Sequence, residues 1–187
     1  MVADRLTEHW DIYNHQFQRI GDRQRHETLA SGEFHLVVNA FIFNTAGSVL
    51  LQQRVADKIN FPNYWDCSAG GSVLAGETIE AGMQRELAEE LGFYRTVTSA
   101  DNFWIRSYSH WVEAWFAFQT TQSLSDLTPQ HAELQRIAYF TPDVAERHLT
   151  QIGFNNYHLE LERAWTHLQQ LSLGFASCQF HLDWFFH

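Results

Sequence analysis

The segment from Gly70 to Phe93 constrains the fold of this chain more than any other. Apolar residues recur at every fourth position from Ile79 to Leu91, which predicts a helix with one buried face. Thr78 is a suitable N-cap, and Gly92 stands where a left-handed residue often ends a helix. Because paired glycines precede this helix, we expect a tight loop that brings the backbone close to another group.

Segments rich in β-branched and aromatic residues surround the predicted helix. Residues 36–43 and 49–54 are separated by a short turn and predict a hairpin. Further strands are predicted at residues 103–108, 111–119 and 136–140, and further helices at 142–148 and 156–171. We interpret residues 22–33 as a connecting loop. The pattern indicates a mixed α/β domain.

The length of 187 residues is typical of one domain. We expect an N-terminal extension at residues 1–34 packed on a domain at residues 35–171. An aromatic tail follows at residues 172–187, and the sequence assigns it no role.

The charged residues limit the possible partners. The chain has 12 Lys and Arg residues against 22 Asp and Glu residues, and its net charge of −10 disfavours general binding to nucleic acids or anionic membranes. Lys58 is the only lysine, and arginine suits bidentate contacts with phosphate. The sequence has no signal-peptide pattern or long apolar run, and Cys67 lies far from Cys178. We therefore expect a cytoplasmic protein with reduced thiols.

Three glutamates of the predicted helix, Glu86, Glu89 and Glu90, share one face because they are three and four residues apart. Such a face is either a solvated acidic stripe or a site for a hard cation such as Mg²⁺ or Mn²⁺. Arg85 favours the second interpretation, because it can hold a neighbouring carboxylate in a ligating rotamer. Bound metal ions would activate water and neutralise charge on a phosphate leaving group.

The segment from Gly71 to Phe93 resembles the Nudix box, GX5EX7REUXEEXGU, in which U is a bulky apolar residue. Every specified position matches, namely Gly71, Glu77, Arg85, Glu86, Leu87, Glu89, Glu90, Gly92 and Phe93. The resemblance implies an α/β/α sandwich with a mixed β-sheet and a loop-helix-loop catalytic motif. It also implies Mg²⁺-dependent hydrolysis, by water attack at phosphorus, of a nucleoside diphosphate linked to another moiety or of a related small diphosphate.

The resemblance also implies roles for individual residues. Glu86, Glu89 and Glu90 would bind the metal and Arg85 would orient them. Glu77 would support either the loop or the metal shell, and Gly70 is a further candidate for the metal shell. Glu133 stands before a predicted strand, where similar hydrolases often have a fourth ligand or a general base. Its alternative is an ordinary exposed glutamate. Serine catalysis is a minor alternative, because no triad is evident.

Residues 10–161 resemble more closely the Nudix branch that includes isopentenyl-diphosphate isomerase. The landmarks are Trp10-Asp11 and the segments 32–35, 51–54 and 61–66. The isomerase uses a cysteine just before its Nudix loop, but Gly70 stands at that place here and Cys67 is three residues earlier. Hydrolysis is therefore favoured, and isomerisation and nucleotide sensing without catalysis are the alternatives.

The candidates for substrate binding are Arg54, Phe61, Trp65, Gly70, Gly71 and Arg106. Arg54 would clamp a phosphate while an aromatic ring stacks on a base, although a surface arginine packed on aromatic rings would look the same. The expected partner is a small nucleotide or diphosphate. Similar proteins also suggest a homodimer formed through the N-terminal extension.

Overall fold

The computed structural model of the protein describes residues 7–154 and 157–174. The strands within these ranges are β1 (His9–Tyr13), β2 (Arg19–Gln24), β3 (His35–Asn44), β4 (Val49–Arg54), β5 (Trp65–Asp66), β6 (Ala69–Ser72), β7 (Asn102–Ser107), β8 (Trp111–Thr120) and β9 (Leu134–Phe140). The helices are α1 (Ile79–Leu91), α2 (Pro142–Ile152) and α3 (His158–Ser172), with short 3₁₀ turns at Ser99–Asp101 and Leu124–Asp126. Residues 175–187, which include Cys178 and most of the expected aromatic tail, lie outside the described residues.

Seven strands form one mixed sheet. Its main order is β5-β4-β3-β8-β7, and β6 and β9 pair with β3 and β4. β3 and β8 run parallel, with His35 opposite Trp111, whereas the other pairs are antiparallel. The 36–43 and 49–54 segments form the predicted hairpin. The structure therefore has the mixed sheet that the resemblance implied.

Helices cover both faces of this sheet and bury two apolar layers. On one face, Met83 and Leu87 of α1 are fully buried against Val38 of β3. On the other face, Ala164 of α3 packs in a cluster with Trp115 and other aromatic residues of the sheet. Successive residues of a strand face opposite sides, so a strand covered on both faces is apolar throughout. The arrangement is the expected α/β/α sandwich.

β4 and β6 pair with the same edge of β3, at different parts of its length. β3 pairs with β4 at Ile42 and with β6 from Val37 to Ala40. Ser68 bridges the junction, because its hydroxyl accepts from the Ile42 amide at 2.8 Å and donates to the Leu50 carbonyl at 2.5 Å. The backbone groups at this junction are therefore satisfied by a side chain, and the sheet can open there without leaving unpaired groups.

The N-terminal extension contains a hairpin that the sequence did not predict. β1 and β2 pair antiparallel, and Tyr13 exchanges two backbone hydrogen bonds with Phe34 just before β3. Residues 22–24 therefore belong to a strand, and the expected connecting loop over 22–33 is wrong at its beginning. β2 is mostly polar and has no fully buried residue, so it lacks the alternation by which a half-buried strand is recognised.

The later helices differ from their predicted bounds by a few residues. α2 continues to Ile152, beyond the predicted end at His148, because Leu149 is fully buried and extends its apolar face. α3 begins at His158, and Asn156, its predicted start, lies outside the described residues. In the part of the chain that the structure describes, none of the helices is both long and apolar enough to cross a membrane.

His35 gives the stability a dependence on pH. Its ring stacks on Trp10 at 4.0 Å between centroids, and its Nδ1 is buried without a hydrogen-bond partner. Burial, with the positive charge of Arg25, lowers the pKa of His35 to about 4. Between about pH 6.5 and 4 the unfolded chain thus binds the extra proton more strongly, so this residue's contribution to stability falls as the pH falls.

In the wild type, His35 should lower the free energy of unfolding by at most about 1.4 kcal/mol for each pH unit below about pH 6.5. We expect His35→Phe, which keeps a ring on Trp10, to remove this part of the pH dependence. Urea unfolding at several pH values measures this difference. The exposed His131 is the control, since His131→Asn should leave the slope unchanged. A wild-type slope in His35→Phe would contradict the assignment.

Candidate active site

Helix α1 and its preceding loop position three of the candidate residues. The Thr78 hydroxyl accepts a hydrogen bond from the Ala81 amide at 3.2 Å, and Gly92 ends the helix at φ 63°. Both predicted ends of this helix are confirmed. Glu86, Glu89 and Glu90 of this helix line a polar pocket of about 190 Å³ at the opening between β4 and β6.

Glu86 lies at the base of this pocket. Its carboxylate is 12% exposed and accepts a hydrogen bond from Arg85 at 2.7 Å. It also lies directly against Gly71, where a Cβ atom would overlap with its oxygens. Burial raises the pKa of Glu86 to about 7, although the charge of Arg85 offsets part of this effect.

Glu90 is the most deeply buried of the three glutamates, with 5% of the residue exposed. Its Oε2 accepts hydrogen bonds from the Gly70 amide at 2.9 Å and from the Gln52 side chain at 3.4 Å. Burial raises the pKa of Glu90 well above its ordinary value, and the nearby Glu86 raises it further. Two carboxylates thus lie close together and shielded from water, and the Gly70 and Gln52 groups that donate to Glu90 are both neutral.

Glu89 lies nearer to solvent, with 39% of its side chain exposed, and it is 3.7 Å from Arg85. The three carboxylates line the same pocket but do not surround one point. Within residues 7–154 and 157–174, no three histidine, cysteine, aspartate or glutamate side chains are gathered closely enough to hold a metal ion. In this arrangement the positively charged guanidinium of Arg85 stands between the carboxylates of Glu86 and Glu89.

Arg85 connects the loop to the helix. It donates to both oxygens of Glu77, at 2.8 and 3.0 Å, and to the carbonyl of Ser72 at 2.9 Å. Glu77 also accepts from the Leu74 amide at 3.0 Å and does not line the pocket. Both Glu77 oxygens are therefore used to hold the loop, and neither is directed at the pocket. This placement fits the loop-supporting role for Glu77.

Two cations face these glutamates across the pocket. Arg54 is 3.2 Å from Asp66 and lies over the ring of Phe154, and Lys58 is 2.7 Å from Glu133. All five side chains line the pocket. The described pocket lining has six acidic and four basic side chains, so both signs of charge face a ligand there.

Two of the candidates for substrate binding lie away from the pocket. Trp65 is 1% exposed and packs edge-on against Phe140 at 5.1 Å in the apolar core, so its ring has no free face for a base. Arg106 forms an ion pair at 2.8 Å with Glu160 of α3 and does not line the pocket. Neither residue is placed to bind a substrate, because the Trp65 ring packs in the core and the Arg106 guanidinium pairs with Glu160.

Phe61 is 50% exposed at the pocket margin and contacts Phe154, whose ring centroid is 4.7 Å away. The remaining candidates, Arg54, Gly70 and Gly71, line the pocket directly.

Sequence reasoning missed several residues of the pocket, namely Glu8, Arg25, Val37, Asn39, Lys58, Asp66, Phe154 and Tyr157. They come from both ends of the chain and from separate strands, so no local pattern groups them. Lys58 is the single lysine and stands four residues after Arg54, on the loop that follows β4, and this proximity to Arg54 is a usable signal.

Cys67 and Gly70 bear on the isomerase alternative. Cys67 is 1% exposed in the apolar cluster, and burial raises the pKa of its thiol well above the ordinary value. A Cβ at Gly70 would lie 2.9 Å from the Val38 carbonyl and would overlap with the Asn39 side chain. The structure therefore has no room for a thiol-bearing side chain at the position that faces the pocket.

Comparison with known proteins identifies relatives of the chain. The NUDIX domain model matches residues 33–162. An uncharacterized Nudix hydrolase of Listeria monocytogenes is 39% identical over 141 residues, which are 74% of this chain and 83% of the relative. The isopentenyl-diphosphate Delta-isomerase of Nocardia farcinica is 41% identical over 76 residues, 41% of this chain and 43% of the relative.

Solved structures show the same fold at low sequence identity. A crystal structure from Deinococcus radiodurans has a TM-score of 0.68 and 22% identity, and covers 84% of this chain and 99% of its own. The NUDIX domain of NrtR from Shewanella oneidensis, in complex with ADP ribose, has a TM-score of 0.55 and 19% identity over 72% of this chain and 88% of its own.

The contact between Gly71 and Glu86 predicts a cost for any side chain at residue 71. We expect Gly71→Ala to lower the free energy of unfolding by about 1–3 kcal/mol, because Glu86 must move and give up its hydrogen bond with Arg85. Urea unfolding measures this. Gly21→Ala is the control, since its Cβ would lie 3.6 Å from the flexible Arg23 side chain, and equal losses in both variants would contradict the contact.

Proposed function

The chain belongs to the Nudix hydrolase family, whose members act on diphosphate-containing substrates, and from this premise we propose an Mg²⁺-dependent hydrolase of nucleoside diphosphate derivatives or related small diphosphates. One observation carries the proposal. The buried Glu90 and the largely buried Glu86 stand beside paired glycines and line one pocket with Arg54 and Lys58.

The residues of this site fit a hard divalent cation by their donor chemistry and charge. Their donors are carboxylate oxygens, which Mg²⁺ and Mn²⁺ prefer, and Glu90 is buried with only neutral hydrogen-bond donors. Glu86, Glu89 and Glu90 would hold the ion, together with Gly70 through its backbone. Bound there, a divalent cation supplies charge neutralisation for a phosphate and lowers the pKa of water. Arg85 would then have to release Glu89, which it approaches at the longest of its ion-pair distances, 3.7 Å.

Arg54 and Lys58 would bind the diphosphate on the other side of the pocket. Asp66 and Glu133 hold these two cations in place, and Arg54 also donates to the Asn60 carbonyl at 3.2 Å. Phe61 and Phe154 would then lie beside the group attached to the diphosphate, where a planar base can stack. Glu133 is the proposed general base or further ligand, because it lines the same pocket as the three glutamates of α1.

Hydrolysis is supported over isomerisation by the position of the thiol. Proton transfer at carbon by a cysteine would require an ionisable side chain in the pocket, whereas Cys67 is buried in the apolar layer. A cytoplasmic location and a homodimer formed through residues 1–34 remain predictions from the sequence.

The substrate class is tested with a panel that includes ADP ribose, other nucleoside diphosphate derivatives and isopentenyl diphosphate, each with Mg²⁺. We expect release of phosphate or a nucleoside monophosphate, and loss of about a hundredfold or more of turnover in Glu90→Gln, because a charge that stabilises the transition state is removed. Glu80→Gln, on the same helix but outside the pocket lining, is the control and should stay within about twofold of wild type. Turnover in Glu90→Gln within about twofold of wild type would disprove the assignment.

Metal binding should depend on pH through Glu86, whose pKa is raised to about 7. Between about pH 4.5 and 7 the folded, metal-free protein holds a proton that the unfolded chain releases, so this carboxyl group destabilises the metal-free fold as the pH rises. Binding of Mg²⁺ requires the ionised carboxylate and releases this proton.

The increase in Tm caused by Mg²⁺ should therefore be larger at about pH 8 than at about pH 6. Thermal unfolding with Mg²⁺ and with EDTA measures it, and Glu86→Gln should reduce both the increase and its pH dependence. Equal increases of the wild-type Tm at both pH values would contradict the role of Glu86.

A further inference from the structure

The N-terminal hairpin lies against the loop that connects β6 to α1. Two successive amides of this loop donate to β1, from Ala75 to the His9 carbonyl and from Gly76 to the Asp11 carboxylate, both at 2.8 Å. The matched family domain begins at residue 33, so this contact comes from outside it. The hairpin therefore holds the loop through a side chain that the Nudix box does not contain.

Asp11 is itself held firmly. The residue is 8% exposed, and its Oδ1 accepts a hydrogen bond from Arg19 Nε at 2.6 Å while its Oδ2 faces Gly76. Both oxygens are thus engaged in fixed directions. Such a charge-assisted hydrogen bond is stronger than a neutral one.

The loop transmits this contact to the glutamates. Gly76 adopts φ 83° and is followed by Glu77, which binds Arg85 through both oxygens. Arg85 in turn holds Glu86 at 2.7 Å. A shift of Gly76 would therefore displace Glu77 and, through Arg85, the carboxylate of Glu86.

The same hairpin reaches the pocket at its ends. Glu8 and Arg25 flank β1 and β2, form an ion pair at 3.2 Å, and both line the pocket. The backbone amide of Arg25 also donates to the Glu8 carbonyl at 2.9 Å. The hairpin is thus part of the pocket wall as well as a support for the loop.

We propose that Asp11 is a positioning residue for the proposed hydrolysis, which fixes Gly76 and thereby the chain of contacts from Glu77 to Glu86. This inference rests on the proposed function for its effect on turnover. Its structural part, that Asp11 orders the loop and prepares the glutamates for a divalent cation, is measured without a substrate.

The experiment compares Asp11→Ala and Asp11→Asn with Asp22→Asn. Asp22 is a matched control, because it lies directly opposite Asp11 in the hairpin and 3.9 Å from the same Arg19, but its side chain is 55% exposed and its other ion pair is with His9. Asp11→Asn keeps an acceptor oxygen for Gly76 and loses the charge, so it tests a partial rescue and serves if Asp11→Ala does not fold.

Three quantities are measured below the unfolding temperature of each variant. They are amide hydrogen exchange of residues 74–77 in the metal-free protein, the affinity for Mn²⁺ by electron paramagnetic resonance, and kcat and KM on the panel compound that the wild type cleaves best. For Asp11→Ala we expect about tenfold faster exchange, about tenfold weaker Mn²⁺ binding, and kcat at least about tenfold lower with KM within about threefold. Asp11→Asn should be intermediate, and Asp22→Asn should stay within about twofold of wild type.

A lower Tm in Asp11→Ala with unchanged exchange, Mn²⁺ affinity and kcat would overturn the proposal, because it would show a purely structural role. Wild-type protein that cleaves no compound of the panel would instead overturn the proposed function. Loop exchange and Mn²⁺ affinity would still decide the role of Asp11 in that case.

Discussion

The guanidinium of Arg85 is the group on which the geometry of the site depends. Its planar set of donors binds Glu77 twice, the Ser72 carbonyl once and Glu86 once, so the loop before α1 and the helix itself form one unit. A lysine could not reproduce these directions, because its ammonium is a single point of charge. The position of Glu86 therefore depends on the contacts that Arg85 makes with Ser72 and Glu77 in the preceding loop.

The sandwich explains why polar groups gather at one place. Both faces of the central sheet are covered by apolar layers, and charged side chains are excluded from them unless they are paired. Where the pairing of β3 changes from β6 to β4, the Ser68 hydroxyl satisfies the backbone and the sheet opens. Glu90 enters this opening and is stabilised by the Gly70 amide, so burial of a carboxylate, costly elsewhere, is tolerated here.

Local patterns predicted much of the framework. The spacing of Ile79, Met83, Leu87 and Leu91 located α1, and the β-branched runs located β3 and β4, because in both cases one short segment makes its own buried face. The polar strand β2 was missed since its residues bury little apolar surface. Trp65 was expected at the substrate because it follows Arg54 closely, but alternation along β5 turns its ring into the core.

The sequence by itself determined the chemistry of this protein: the residues of the Nudix box, the acidic face of α1 and the arginine beside it are contiguous, and a helix of fixed pitch brings them together. Only the tertiary structure decided which residues complete the pocket. Lys58 and Asp66 reach it from a loop and an edge strand, and Asp11 of the N-terminal hairpin holds the loop before α1. The positions of these residues relative to the site depend on strand pairing and packing between segments far apart in the chain. A local periodicity of the sequence does not predict such contacts.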